Sequence, residues 1–129
     1  MNISEKIEYW MDIADYDMET SRSMQKSGRY LYTVFMCQQA IEKVLKALYL
    51  QEISKEAPLS HNLVYLQSLL RLNLSKAQLR VLADLTTYYI EGRYPSYKKR
   101  LSTLIGRERS SKILKESEEI YRWLKSKVK

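Results

Sequence analysis

The sequence predicts an all-α fold, a single antiparallel bundle of about five helices spanning residues 1–129 as one domain. Three observations carry this. Apolar residues recur at steps of three and four over long segments, the spacing that lines them along one side of a helix. Turn-formers are scarce, with three glycines and two prolines against eleven tyrosines and five methionines, too few for the many turns of a β-sandwich. Apolar residues make up 45% of the chain and charged ones 29%, which suits a core with a solvated surface rather than a disordered chain.

The first helix is expected from about Ile3 to Gln25, with Ile3, Ile7, Trp10, Met11, Ala14 and Met18 forming one stripe. Asn2 and Glu5 make a cap pair at its start, with Ser4 competing for the role. Ser27-Gly28 ends it, because glycine tolerates the left-handed turn that closes a helix. Tyr30 to about Ile53 is the strongest segment. Its apolar surface, built from Leu31, Val34, Phe35, Ile41, Val44, Leu45 and Leu48, is wider than one stripe. Such a helix lies at the centre of a bundle, or turns its second face to a partner chain. Pro58 interrupts in KEAPLSHNL, and Ser60 or Asn62 is available to cap a short helix from about His61 to Arg71, with Leu63, Leu66, Leu69 and Leu70 inward. Ser75 and Gln78 form a capping box for the fourth helix, which buries Val81, Leu82, Leu85 and Tyr88 or Tyr89 and fades at Gly92. Pro95 stops helical propagation and pushes Tyr94 into an extended conformation. The residues from Gly92 to about Leu104 are therefore expected as the longest non-helical segment, of the kind that often carries function. A last helix starts near Ile105–Arg109 and runs to the end, with Ile113, Ser117, Ile120, Leu124 and Val128 on one side.

Several classes fall away. No stretch reaches the roughly 18 uninterrupted apolar residues of a membrane span. MNISEKIEYW carries acids and lacks the apolar centre of a signal peptide. The single cysteine, Cys37, has no intramolecular disulfide partner and lies in an apolar helical run, so a buried, inert thiol in a cytoplasmic protein is expected. With one histidine and one cysteine, no His/Cys metal cluster is expected within the chain, and no cofactor is expected. The net charge is +7, and its placement is uneven: residues 1–28 hold six acids and three bases, residues 29–90 seven bases and four acids, and residues 91–129 twelve bases and five acids. The basic end suits nucleic acid or nucleotide phosphates, or serves only as a solubilising helix.

Trp10 with Ala14-Asp15, the run CQQAIEKVLKALYL, then SHNL, then YYIEGRYPSY, in that order, resemble a prokaryotic HEPN-domain protein over about Ile7 to Trp123. The resemblance implies a bundle of about five helices that usually dimerises, commonly beside a minimal nucleotidyltransferase, with several such pairs acting as toxin and antitoxin. Many members are metal-independent ribonucleases using Arg-x4-6-His, in which histidine moves a proton and arginine stabilises charge growing on phosphate. Here the positions that the motif gives to histidine, counted from Arg93, hold Lys98, Lys99 and Arg100. A lysine neutralises a phosphate but is a poor general base when protonated. No catalytic residue is assigned on this ground.

The candidate ligand-binding residues are Arg93, Tyr94, Tyr97, Lys98, Lys99 and Asp15. Arg93 resembles the family arginine, or satisfies carbonyls at a helix end. Tyr94 and Tyr97 stack on a base, or close the end of the bundle. Lys98, Lys99 and Arg100 attract phosphates, or are solvated. Asp15 and Asp17 flank the first apolar stripe, where one orients Arg93 across a groove or both are border charges. His61 reads as a hydrogen-bonded structural histidine ahead of a catalytic one, and Gln38 or Gln39 as a buried amide making a hydrogen bond. The leading functional reading is a homodimeric HEPN-domain partner of a minimal nucleotidyltransferase that binds nucleotide or RNA phosphates without catalysis of its own. The competing readings are a HEPN ribonuclease toxin with an altered site, using Arg93 with His61 or a tyrosine, and a non-catalytic dimerisation module.

Overall fold

The computed structural model describes residues 1–129. It contains six helices and no strand: α1 (Ile3–Lys26), α2 (Tyr30–Ile53), α3 (Leu63–Ser68), α4 (Lys76–Glu91), α5 (Pro95–Leu104) and α6 (Arg107–Lys125). None is long and apolar enough to cross a membrane.

The ends of these helices follow local chemistry. At α1, Asn2 Oδ1 accepts from Glu5 N at 2.8 Å while Asn2 N donates to Glu5 Oε1 at 3.3 Å, so each residue satisfies a group the helix leaves open. Gly28, at φ +78°, makes the reversal into α2. The same reciprocal pair starts α4, with Gln78 N on Ser75 Oγ at 3.1 Å and Ser75 N on Gln78 Oε1 at 2.9 Å. Asn62 caps α3 through Tyr65 N at 3.0 Å, and α3 is shorter than expected at both ends.

Between Gly92 and Leu104 the structure corrects the expectation. Residues 95–104 are helical, which raises the count to six. Tyr94 is indeed extended (φ −102°, ψ 128°), but it is the residue before the helix, and Pro95 takes the first helical position. There its missing N–H has no partner to lose, and its fixed φ is already helical. Leu101 and Ile105 then anchor the segment in the core.

α2 is the centre, touching each of the other five helices. Its buried Leu31, Val34, Cys37, Ile41, Val44, Leu45 and Leu48 join Ala14 and Met18 of α1, Leu82 and Leu85 of α4 and Ile120, Tyr121 and Leu124 of α6. The wide apolar surface of α2 is thus explained within the chain. The first residue of the α1 stripe, Ile3, remains exposed.

Cys37 is fully buried, and burial pushes its thiol from the ordinary 9.0 up to about 12. Folding then favours the neutral form. The stability this contributes is complete below pH 9 and is lost as pH rises towards 12, because the unfolded thiol ionises first. A thiol reagent at pH below 9 is expected to label the native protein only as fast as the fold opens. Labelling at the rate of an exposed thiol would contradict this.

Candidate functional site

Aromatic rings from α2, α4 and the loop before α3 form a continuous row. Tyr32 meets Phe35 edge to face at 5.5 Å, Phe35 meets Tyr89 at 5.7 Å, and Tyr89 meets His61 at 5.3 Å between ring centroids. A cation stands at two points along it. Arg93, just past α4, lies 5.5 Å from the Tyr89 centroid, and Lys98 of α5 lies 5.2 Å from that of Tyr32. The electron-rich ring faces attract these cations and hold them in place without neutralising them. Lys98 Nζ also donates to the Tyr32 hydroxyl at 2.7 Å.

At its far end the row meets a buried polar hub. Glu42 is 4% exposed. Its Oε1 lies 2.8 Å from His61 Nδ1 and accepts from Gln38 Nε2 at 3.0 Å, while Oε2 accepts from Lys46 Nζ at 3.0 Å. Gln38 Nε2 also donates to the His61 carbonyl at 2.9 Å, which ties the loop to α2. Thr86 Oγ1 accepts from Leu63 N at 3.1 Å and fixes the next turn. In the neutral ring, an Nδ1–H donated to the carboxylate leaves the lone pair on Nε2. That side chain is 45% exposed. A carboxylate-oriented imidazole with one free nitrogen is able to take up and return a proton.

Of the sequence candidates, Arg93 and Lys98 share this row. Lys99 is exposed and makes no ion pair. Arg100 lies 5.7 Å from the Tyr97 centroid and 3.7 Å from Glu91 Oε2. Tyr94 and Tyr97 are exposed. Asp15 is elsewhere: its carboxylate accepts from the Tyr121 hydroxyl and from Lys125 Nζ at 2.9 and 3.0 Å, on the α1–α6 side. Burial and that carboxylate push the Tyr121 phenol upward. Asp17 pairs with Lys43. Neither aspartate orients Arg93; the Tyr89 ring does. Gln38 makes the buried amide bonds expected of the Gln38-Gln39 pair.

Sequence reasoning missed Glu42, Tyr89 and Tyr32 as site residues. A signal existed for Glu42, since Gln38, Glu42 and Lys46 form a polar line at four-residue spacing along an otherwise buried helix. No group of three or more His, Cys, Asp or Glu side chains is placed to hold a metal ion.

A family model described as the HEPN domain matches residues 7–127. The fold is similar to the crystal structure of TT1696 from Thermus thermophilus, with a TM-score of 0.79 at 21% identity over 98% of each chain. It is also similar to ST0689, an archaeal HEPN homologue, with a TM-score of 0.74 at 23% identity over 95% of this chain and 98% of that one. A HEPN domain protein, TM0613 of Thermotoga maritima, has a TM-score of 0.70 at 22% identity over 92% and 95% of the two chains. At these identities the likeness concerns the fold. No curated protein sequence matches the chain.

Proposed function

This chain belongs to the HEPN domain family, and we propose that within it the protein is a homodimeric partner of a minimal nucleotidyltransferase that binds nucleotide or RNA phosphates. The observation that carries the binding reading is the aromatic row with Arg93 and Lys98 held over its rings. Stacking rings and unneutralised cations together are the chemistry of single-stranded nucleic-acid and nucleotide recognition. The basic balance of residues 91–129 adds a long-range attraction for the same ligands. The pairing and the dimer rest on the family, several of whose members form toxin–antitoxin pairs. The absence of Arg-x4-6-His favours a role without catalysis.

Calorimetry with a short single-stranded RNA and with AMP tests the binding. Arg93→Ala is expected to weaken both by roughly tenfold and to flatten the salt dependence. Absence of binding by the native protein would overturn the reading. Recovery of a nucleotidyltransferase on the tagged protein from native lysate tests the pairing, and its absence counts against it.

One observation favours a second reading, a ribonuclease with an altered site. His61 is oriented by Glu42 and shares the Tyr89 ring with Arg93, so a proton-transfer group and a phosphate-facing cation flank one aromatic. Cleavage of tRNA or total RNA in the presence of a chelator, lost in both Arg93→Ala and His61→Ala, would establish it. Intact RNA after incubation with the native protein would remove it.

A further inference from the structure

We infer that the cavity between the start of α2 and α5 is a seat for a phosphate monoester, held by Arg29 and Lys98 and by the hydroxyls of Tyr30 and Tyr32, with Arg107 supporting Tyr30 from behind. The inference rests on the phosphate-binding reading above and narrows it to a place and a ligand class.

The cavity measures about 200 Å³, and Arg29, Tyr30, Tyr32 and Lys98 are among the residues that line it. No carboxylate does. A third cation, Arg107, is attached through Tyr30, whose hydroxyl accepts from Arg107 Nε at 3.1 Å. Lys98 is attached in the same way to the Tyr32 hydroxyl at 2.7 Å. Several cations of this chain meet acids, Lys46 with Glu42, Lys6 with Glu56 and Lys125 with Asp15, and Arg109 rests on the Tyr88 hydroxyl at 2.8 Å outside this cavity. Lys98 and Arg107 are held by neutral phenols, and Arg29 has no ion pair. Like charges gathered without a counter-charge raise the local potential, and an anion is what lowers it.

The phenols supply a second, chemical argument. Lysine and arginine side chains only donate hydrogen bonds, so in both contacts the phenol oxygen is the acceptor. Each phenol's own proton is therefore left to donate, and neither finds an acceptor within the chain. A hydroxyl oxygen that already accepts from a cation is a stronger donor through its own hydrogen. Two such protons and two lining cations, with Arg107 behind Tyr30, match an anion with several oxygens.

The larger cavity, about 500 Å³ between α1 and α6, sharpens the contrast. Arg22, Arg122 and Lys125 line it, but so do Asp15, Glu19 and Glu118. Arg22 lies 3.4 Å from Glu118 and Lys125 2.9 Å from Asp15. That groove neutralises itself.

Size selects the group. Pockets that enclose a drug-sized molecule run from about 300 Å³ upward, so this cavity takes a phosphate group while the rest of a ligand lies outside. A monoester has three terminal oxygens and one organic substituent, and so needs a single exit. A diester within a chain needs two exits and offers one negative charge instead of nearly two. Tyr32 forms the shared wall between the cavity and the aromatic row, so a base attached to the phosphate has rings beside it. Free phosphate and the phosphorylated end of a nucleotide or RNA share this chemistry.

Calorimetry at low salt separates the sources, using inorganic phosphate, AMP, adenosine and a dinucleoside phosphodiester as probes. Saturable binding of AMP is expected, with adenosine and the diester weaker by at least about tenfold. If the seat serves phosphate alone, inorganic phosphate binds as tightly as AMP; if the aromatic row is used, AMP binds more tightly. Both outcomes uphold the seat. Arg29→Gln and Lys98→Gln change exposed side chains, and each is expected to weaken AMP by about tenfold, with Tyr32→Phe giving a smaller loss. Lys76→Gln, a charge change at the start of α4, controls for net charge and should have no effect. AMP binding unchanged in Arg29→Gln and Lys98→Gln but lost in Arg93→Ala would overturn this inference and leave the proposed function standing. Saturable binding of inorganic phosphate that is lost in Arg29→Gln and Lys98→Gln, with neither AMP nor RNA bound by the native protein, would uphold an anion seat here and overturn the proposed function.

Discussion

Glu42→Ala is expected to lower the free energy of unfolding by about 3–5 kcal/mol, measured by chemical denaturation. The carboxylate is 4% exposed and is the common acceptor for Gln38, Lys46 and His61. Removing it leaves the Lys46 ammonium, whose side chain is 11% exposed, without its counter-charge. It also takes one of the two acceptors from the buried Gln38 amide nitrogen, which keeps only the His61 carbonyl. The loss is thus larger than the stabilisation the intact hub provides, since an orphaned charge costs more than a satisfied pair contributes. Glu42→Leu combined with Lys46→Met removes both charges and should recover most of the stability. A single-variant loss below about 1 kcal/mol, the scale of a solvated surface pair, would show that the hub is wet. Nitrogen resonances of the His61 ring offer a second readout. In the native protein they should report one tautomer with Nδ1 protonated, and in Glu42→Ala a mixture.

Gly92→Ala is the second large effect, with an expected destabilisation of about 2–3 kcal/mol. The backbone there is ordinary (φ −64°, ψ −11°), so no conformational penalty is involved. Alanine would even gain about 0.4–1 kcal/mol, because it loses less chain entropy on folding than glycine. Space decides against it. A Cβ at this position would stand 2.6 Å from Phe35 Cε1 and 2.8 Å from the Tyr88 carbonyl oxygen, and closer still to Phe35 Cζ. The Phe35 ring has little room to retreat because Tyr32 and Tyr89 contact it edge to face. Forcing it away displaces Tyr89 and, with it, Arg93. Weaker binding of AMP and single-stranded RNA should therefore accompany the lost stability. Phe35→Leu should relieve the clash, so the double variant is expected to be more stable than the sum of the two single changes. A Gly92→Ala protein more stable than the native one would refute the close packing.

The aromatic row also explains how much of the site was legible beforehand. Arg93 and Lys98 were picked out as cations at a break in helical pattern, and both lie on the row. Asp15 was picked out by its position beside an apolar stripe, but helical periodicity gives only the direction a side chain leaves its helix. It does not say which of the neighbouring helices it meets, and here the neighbour is α6. His61 acquires its orientation from Glu42, nineteen residues away, and Lys98 meets Tyr32 across sixty-six. No spacing rule reaches that far.

What the sequence determined by itself is everything that closes within a turn or two of chain. The cap boxes at Asn2–Glu5 and Ser75–Gln78, the turn at Gly28 and the stripes that form the core are of this kind, because their hydrogen bonds and periodicity involve residues three or four apart. Pro95 shows the limit, since the same residue stops one helix and starts another. Leu101 and Ile105 reaching the core make the second outcome stable, and that is a tertiary matter. Tertiary structure alone decided which polar groups share a surface: Glu42 with His61, Tyr89 with Arg93, and Arg29 and Lys98 with two phenols around one cavity. The reason is physical. Long-range contacts form where core packing brings helices together, and the sequence records the packing residues more plainly than the polar pairs that packing makes adjacent.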